Sequence, residues 1–397
     1  MALNLIRNSR VFFTTNVNTA GIIQTSGFLP TNTWEIQVQD GFSFSQNTTQ
    51  ETVTLNEAGA TPIRGQRSFN TSLEPVDWSF TTYIRPKFEE GTLADPDNTD
   101  DYIDAEEAVL WNALAAPTDT SDIGQANAAW VRTVGASPVS TLGFTKSNVH
   151  QLKRFGLIIK LENVTYLIHN CAIESASIDF GLDAISSVAW TGRGTRMAET
   201  ASAVTVSDNA GTRTTTFTGG IAGTAKYKDV NAKYIANKLS TMSVARTTFN
   251  GQGAKTYTVA LTGGNLTIAN NLTYLTPANL GVVNEPVTYF TGTRAITASV
   301  NAYLKTGTNE SSTLLNDILA ASATDDENQF NVSVALGGST SGIKVVLDMP
   351  TAMLGVPSVT SEQVVSTTIN IMPQAGTASA YNIEDANELT VKYYATV

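Results

Sequence analysis

Period-two alternation organises the chain. In the stretch 76–85, Val76, Trp78, Phe80, Thr82 and Ile84 fall on one face, while Asp77, Ser79, Thr81 and Tyr83 fall on the other. This is the pattern of a strand with one buried face. It returns 220 positions later, from Tyr83 to Tyr303. There Ile296, Ala298, Val300, Ala302 and Leu304 alternate with Thr297, Ser299, Asn301 and Tyr303, and each copy ends in a cation, Arg85 or Lys305. A strand used once per half predicts an internal duplication.

Residues 4–15 read as a first strand and the stretch to Thr33 as loop. A strand over 34–41 ends in the Asp40-Gly41 turn signal, and a return strand starts at Phe42. A long arm, 47–75, leads back to the organising strand. After an acidic loop, 86–103, Asp104 reads as a helix N-cap with Glu107 three residues on, both carboxylates suiting a helix N-terminus. Val109, Leu110, Ala113 and Leu114 make its apolar stripe and Pro117 ends it. Residues 117–150 read as a polar loop. Strands follow at 155–161, 164–172 and 175–190. The Ser/Thr/Gly/Ala-rich stretch 198–228 reads as a linker with a small hairpin near Asp208.

The second half repeats this order. Tyr234-Ile235-Ala236-Asn237 echoes Leu5-Ile6-Arg7-Asn8, the stretch 259–264 echoes 36–41, and 266–271 echoes 42–47. Leu314, Leu315, Ile318 and Leu319 repeat the helical spacing, and 330–336 matches 155–161. The offset falls from 220 at the organising strand to 205 at the helix and 175 at the next strand. The long loops therefore belong to the first copy. The expected organisation is a first domain over 1–197, a linker over 198–228 and a second domain over 229–397.

Composition narrows the function. A net charge of −11 argues against holding nucleic acid through overall charge, because such binding rests on Lys and Arg neutralising phosphates. Only 15% of residues are charged, and Thr, Ser, Asn and Gly take their place, which suits β structure and extended protein contacts. The one cysteine, Cys171, excludes an internal disulfide framework. No stretch has the apolar length of a signal h-region or a membrane span, so no membrane insertion is expected.

Catalytic chemistry finds little footing. The two histidines are His150, at a polar loop edge, and His169. His169 lies two positions from Cys171, so a regular strand would put both on one face. Such a pair reads first as packing and only second as a Cys/His nucleophile. The acidic run from Glu89 to Asp104 lacks the calcium-loop spacing. Gly192-Arg193-Gly194 lacks the spacing and the Lys-Ser/Thr of a phosphate loop. No catalytic residue, metal site or cofactor is expected. Arg64 and Arg67 could bind an anion, pair with a neighbouring subunit's carboxylates or be simply exposed.

The segments 5–12, 55–59, Arg64-Gly65, 67–70 and 78–84, with Leu261-Thr262-Gly263-Gly264 and 272–277 in the second half, resemble the major tail tube protein of long-tailed, non-contractile bacteriophages. The closest subgroup is the phage T-five type, in which one chain fuses two tube domains. The resemblance covers most of the chain and is weakest in the linker and the two long loops. It implies a mainly β fold of two tandem tail-tube domains, each a β-sandwich or half-barrel flanked by one α-helix. An appended immunoglobulin-like domain, present in some relatives, is expected to be absent.

The resemblance further implies a structural virion protein assembled in the host cytoplasm. Three chains would form a pseudo-sixfold ring, and stacked rings a hollow tube through which DNA is ejected into the host. Implied partners are other copies of the chain, the tail terminator, tail tip and tape measure proteins, and DNA in transit. Thr81, Tyr83, Asn301 and Tyr303 become candidates for the lumen wall. Glu57, Arg64, Arg67 and Glu74 on the arm, with its echo at 271–294, become candidates for contacts between rings. The long loops are expected to face outward. The alternative is an adhesin or carbohydrate-binding β-sandwich, which needs solvent-facing aromatics, with Trp34, Trp111 and Trp130 as candidates.

Overall fold

The computed structural model describes residues 8–53, 65–89, 101–117, 128–135, 137–144, 150–200, 204–209, 213–228, 232–246, 253–324, 329–338, 342–360, 364–377, 380–381 and 385–395. The chain is mainly β. Its first half supplies β1 (Arg10–Thr14), β2 (Ser26–Phe28), β3 (Thr33–Ile36), β4 (Ser43–Val53), β5 (Arg67–Tyr83), β6 (Pro86–Glu89) and β7 (Tyr102–Ala105). Helix α1 (Ala108–Ala115) follows, then β8 (Trp130–Thr133), β9 (Val139–Leu142), β10 (Phe155–Lys160), β11 (Thr165–Gly181), β12 (Ser187–Gly194) and β13 (Arg196–Glu199). A meander comes next, of β14 (Val204–Asn209), β15 (Thr214–Gly219) and β16 (Ala222–Lys226).

The second half supplies β17 (Thr241–Arg246), β18 (Lys255–Ala269), β19 (Leu272–Leu275), β20 (Thr288–Thr291) and β21 (Ala295–Tyr303). Helix α2 (Ser311–Thr324) precedes β22 (Phe330–Leu336), β23 (Lys344–Leu354), β24 (Ser358–Thr360) and β25 (Ser366–Pro373). The short β26 (Gly376–Thr377) and β27 (Ala380–Tyr381) and the terminal β28 (Thr390–Tyr394) complete the order.

One circuit of antiparallel pairings occurs in both halves. In the second half β17 pairs with β18, β18 with β21, β21 with β25, β25 with β23, β23 with β22, and β22 returns to β17. In the first half β1 pairs with β3 and β10, β10 with β11, β11 with β12, β12 with β5, and β5 with β4. The second circuit closes on the continuous strand β18. The first is broken between β3 and β4, where Gly41 takes a φ of +98°, a conformation that favours glycine. The expected Asp-Gly turn sits in this break. Its expected echo at Gly263-Gly264 is not a turn: both glycines lie inside β18. A Cβ on Gly264 would meet the Phe180 ring at 2.9 Å, so the missing side chain is what lets that ring lie there.

Each circuit wraps an apolar core. The even positions of β5 from Val76 to Thr82 are buried, as are Ile296, Ala298, Val300 and Ala302 on β21. Trp190 on β12 packs edge-on against Trp111 of α1, centroids 4.7 Å apart, and donates its indole N–H to Thr82 Oγ1 at 2.8 Å. All eight residues of α1 are buried, so the helix is enclosed on every side rather than along one stripe, and Asn112 accepts from the Ala129 and Trp130 backbone N–H groups. Helix α2 is one-sided. Leu314 and Ile318 are buried and Leu319 is exposed.

Several loop assignments fold up instead. Within 86–103, β6 pairs with the start of β7. Within 117–150, β8 and β9 form a hairpin whose β9 pairs with β28. Trp130 of that hairpin stacks edge-on against Tyr393, 4.9 Å away. Much of 198–228 is folded too. β14, β15 and β16 pair in series, and β16 runs parallel to β2 and β3. Phe217 closes a small core with Phe12, Phe28 and Ile158. Sparse but regular apolar residues, Val204, Phe217, Ile221 and Ala225, suffice because they cap an existing sheet rather than build a core of their own.

The helix start is also corrected. Glu107, not Asp104, is the N-cap residue, and its side chain makes no capping hydrogen bond. Asp104 ends in β7, buried between Lys226 at 2.9 Å and Arg132 at 3.0 Å. Burial opposes its ionisation, but these two cations hold its carboxyl below the usual range.

Candidate functional site

The two halves are joined by backbone pairing. β11 is long enough to serve two sheets. Its first part pairs with β10 and β13, and its last part, from Ser175 to Gly181, pairs antiparallel with β18, from Ala269 to Gly263. The strands β4, β5, β12, β11, β18, β21 and β25 are therefore neighbours in one sheet spanning both halves. Buried Asn270, just past β18, ties this seam to α1 by donating to Leu114 O at 3.0 Å and Ile173 O at 3.1 Å.

One face of this sheet is core and the other is a mostly polar wall. Following the pairings from Thr81, one row runs through Ala189, Ser177, Thr267 and Thr297. The next row runs from Tyr83 through Ser187, Asp179, Asn265 and Ser299. Side-chain hydroxyls bond across strands within the wall. Ser43 meets Ser79 at 2.8 Å, Ser175 meets Thr191 at 2.8 Å, and Ser177 meets Thr267 across the seam at 3.0 Å. Such pairs fix the wall's side chains and satisfy their polar atoms.

The charge of the wall is acidic. These two rows hold no cation, and on the same face Arg193 stands opposite Asp77. It is held by Asp77 at 3.1 Å and Glu174 at 3.3 Å, and Asp179, in the Tyr83 row, is exposed. Small hydroxyl and amide groups with a slight negative excess give a wettable surface that offers phosphates no strong anchor.

Thr81, Tyr83, Asn301 and Tyr303 all lie on this face. Thr81 and Tyr83 are half-buried and Asn301 and Tyr303 exposed. Asn301 accepts from Thr368 Oγ1 at 2.8 Å, and Tyr83 packs edge-on against Tyr234 at 5.2 Å. Of the arm candidates, Arg67 and Glu74 are exposed on the part of β5 that pairs with β4 beyond the core, while Glu57 and Arg64 lie outside the described residues. Arg67 stands over the exposed Phe69 ring at 4.7 Å, and Glu74 accepts from Thr49 at 3.3 Å. The echo of the arm, β19 paired with β20, is folded back instead. Leu272 and Tyr289 pack on Leu152 and Ala172 of the first half, and Tyr289 donates to Leu152 O at 2.8 Å.

The catalytic and lectin-like alternatives lose their geometry. Asn170 has a φ of +49°, which breaks the alternation between His169 and Cys171. His169 Nδ1 accepts from Ile23 N at 3.2 Å, while Cys171 is wholly buried and burial pushes its thiol up. Gly192 serves packing, since a Cβ there would meet the Trp78 ring at 2.2 Å. Trp34, Trp111 and Trp130 are all buried and present no aromatic groove. Among the described residues no cluster has the make-up of a metal site, and no helix is long and apolar enough to cross a membrane.

No family model matches the chain. One relative is 30% identical to it over 374 residues, which cover 93% of this chain and 72% of that protein. That relative is a phage tail tube protein, so the chain belongs to the phage tail tube proteins: non-enzymatic structural components of the virion tail. The relative itself is tail tube protein pb6 of Escherichia phage T5. The shared length runs across both halves, so the similarity is not confined to one repeat.

The seam is what sequence reasoning missed. The pattern over 175–190 predicts one strand, whereas β11 ends at Gly181 and β12 starts at Ser187. The alternation of Ser175, Ser177 and Asp179 with Ala176, Ile178 and Phe180 was visible. Nothing in it named a partner across a supposed domain boundary.

Proposed function

We propose that three chains close into a pseudo-sixfold ring and that rings stack into a hollow tube through which DNA leaves the head for the host. The two pairing circuits act as equivalent tube domains, the first ending near 197 and the second starting near 229, with the folded meander between them. The observation that carries this reading is the polar wall, which runs through both halves in one sheet and backs onto the buried core. A sheet that continues from repeat to repeat can close on itself and lose its edges. In the ring this wall, with Thr81, Tyr83, Asn301 and Tyr303, lines the lumen. Its acidic, hydroxyl-rich surface lets DNA slide.

The arm of β4 and β5, with Arg67 and Glu74 and, beyond the described residues, Glu57 and Arg64, reaches the adjoining ring. The long insertions lie on the outside. The tail terminator, tail tip and tape measure proteins are the partners at the tube's ends and in its bore. Electron microscopy of purified, concentrated protein tests the reading. Rings with threefold-related chains and stacked tubes are expected. Compact monomers at all concentrations would refute it.

A further inference from the structure

Each half has its own outer edge. Among the described residues β4 pairs only with β5, and β24 pairs only with β25. β4 opens the sheet in the first half and β24 flanks it in the second, so one chain carries two unused edges.

The chain's internal seam indicates what each edge fits. From Thr81 the pairings lead through Ala189 to Ser177, whose partner across the seam is Thr267. From Asn301, the position equivalent to Thr81, they lead through Thr368 to Ser358, where the strand pairing ends among the described residues. Thr267 pairs with Thr297 on β21, and the equivalent of Thr297 on β5 is Asp77, whose partner on β4 is Ser45. Ser358 therefore stands where Ser177 stands, and Ser45 stands where Thr267 stands.

The core side of the same strands agrees independently. Ile178 and Leu266 face each other across the internal seam and are 0% and 1% exposed. The same walk maps Ile178 to Val359 and Leu266 to Phe44. Val359 is 50% exposed and Phe44 only half-buried, as expected of an apolar pair whose halves sit on different copies. An edge strand with an exposed apolar residue invites pairing.

We infer that β24 of one chain pairs antiparallel with β4 of a second copy, in the register Ser358 opposite Ser45, Val359 opposite Phe44 and Thr360 opposite Ser43. This rests on the ring reading above and deepens it, because it fixes which strands meet and in what register. The joint repeats the internal one, including a hydroxyl pair on the polar face where Ser177 meets Thr267.

Cysteine pairing tests the register. Cys171, the one native cysteine, is wholly buried, so mild oxidation reads only introduced pairs. Assembled protein carrying Ser45→Cys and Ser358→Cys should give disulfide-linked dimers and trimers on a non-reducing gel, with nothing larger than a trimer. Ser43→Cys with Ser358→Cys, two positions out of register, should give at least tenfold less. Tubes that assemble but cross-link in the second pair, or in neither, overturn the register and leave the tube reading standing. Wild-type protein that never forms rings overturns the tube reading itself, and is seen before any cysteine is introduced. Should the double variants fold poorly, Val359→Asp supplies a second readout. It should remain a folded monomer, with unchanged circular dichroism and no rings; normal rings from it would also sink the proposal.

Discussion

The phenol of Tyr393 donates a 2.8 Å hydrogen bond to Glu107 Oε1, joining residues 286 positions apart. Tyr393 in turn accepts from the Trp111 indole at 2.8 Å, and Glu107 also accepts from the Arg85 backbone N–H at 3.1 Å. The terminal strand is thus tied to α1 and to the end of the organising strand. Glu107 is wholly buried at this junction, and burial raises its carboxyl from the ordinary 4.5 to about 7.

A pH dependence follows from that shift. Between about pH 4.5 and 7 the folded chain keeps the Glu107 proton that the unfolded chain has lost, so this group's contribution to stability falls as pH rises through that window. The loss is about 3 kcal/mol across the window. Glu106, also raised to about 7 by burial, acts in the same direction. Glu107→Gln keeps an oxygen for Tyr393 and Arg85 and removes the titration. Urea unfolding at pH 5 and pH 7.5 should show the variant gaining on wild type at the higher pH. Parallel stability curves would show that the group does not titrate there.

Gly192 leaves room for the Trp78 ring to lie across β12. A Cβ there meets the Trp78 ring at 2.2 Å and Ala172 O at 2.4 Å, the second of which is backbone and cannot rotate away. Gly192→Ala should cost at least about 2 kcal/mol by overpacking. Thermal unfolding measures it, and an unchanged midpoint would mean that the strands have room to separate.

The arm has a different signature. Phe69 is 46% exposed, while Tyr289, 220 positions on, is 1% exposed against the first half. If Phe69 finds the matching cover on another copy, Phe69→Ser should change monomer stability by less than about 0.5 kcal/mol, as an exposed site does. It should nevertheless raise the protein concentration needed for assembly at least tenfold. Sedimentation velocity across a concentration series reads this, and unaltered assembly would remove the arm from the interface.

Charge on the wall should govern passage rather than assembly. Thr81→Lys with Asn301→Lys adds two cations per chain to a face where Arg193 is already ion-paired. Particles built with this variant should form normal tubes but release DNA more slowly, and added salt should restore the rate. Release at the wild-type rate in low salt would place these positions away from the DNA.

The residue pattern showed more of the local structure than of the architecture. The alternation in β5 and β21 was legible because each strand has one apolar and one polar face, and burial follows it position by position. The offset of 220 led to equivalent pairings for the same reason. The hairpin near Asp208 is legible and is β14 with β15, but the rest of 198–228 reads as linker and β8–β9 as loop, because their apolar residues are few and complete a core built elsewhere. Asp104 looked like a cap because carboxylates favour both helix starts and buried cation pairs, and spacing alone does not separate the two. Parity alone puts Thr81, Tyr83, Asn301 and Tyr303 on the polar side of their strands. That their face continues through β11 into β18 depends on a pairing between distant segments, which no local pattern encodes.

The seam between β11 and β18 also has a consequence for counting. Ser177 and Thr267 are separated by only 90 positions of one chain, so their strands meet at a high effective concentration fixed by the tether rather than by diffusion. In a ring of such chains every second joint is made when the monomer folds. Assembly then adds or loses repeats two at a time. Rings of five or seven repeats, open to an assembly of separate subunits, become unreachable without a dangling half.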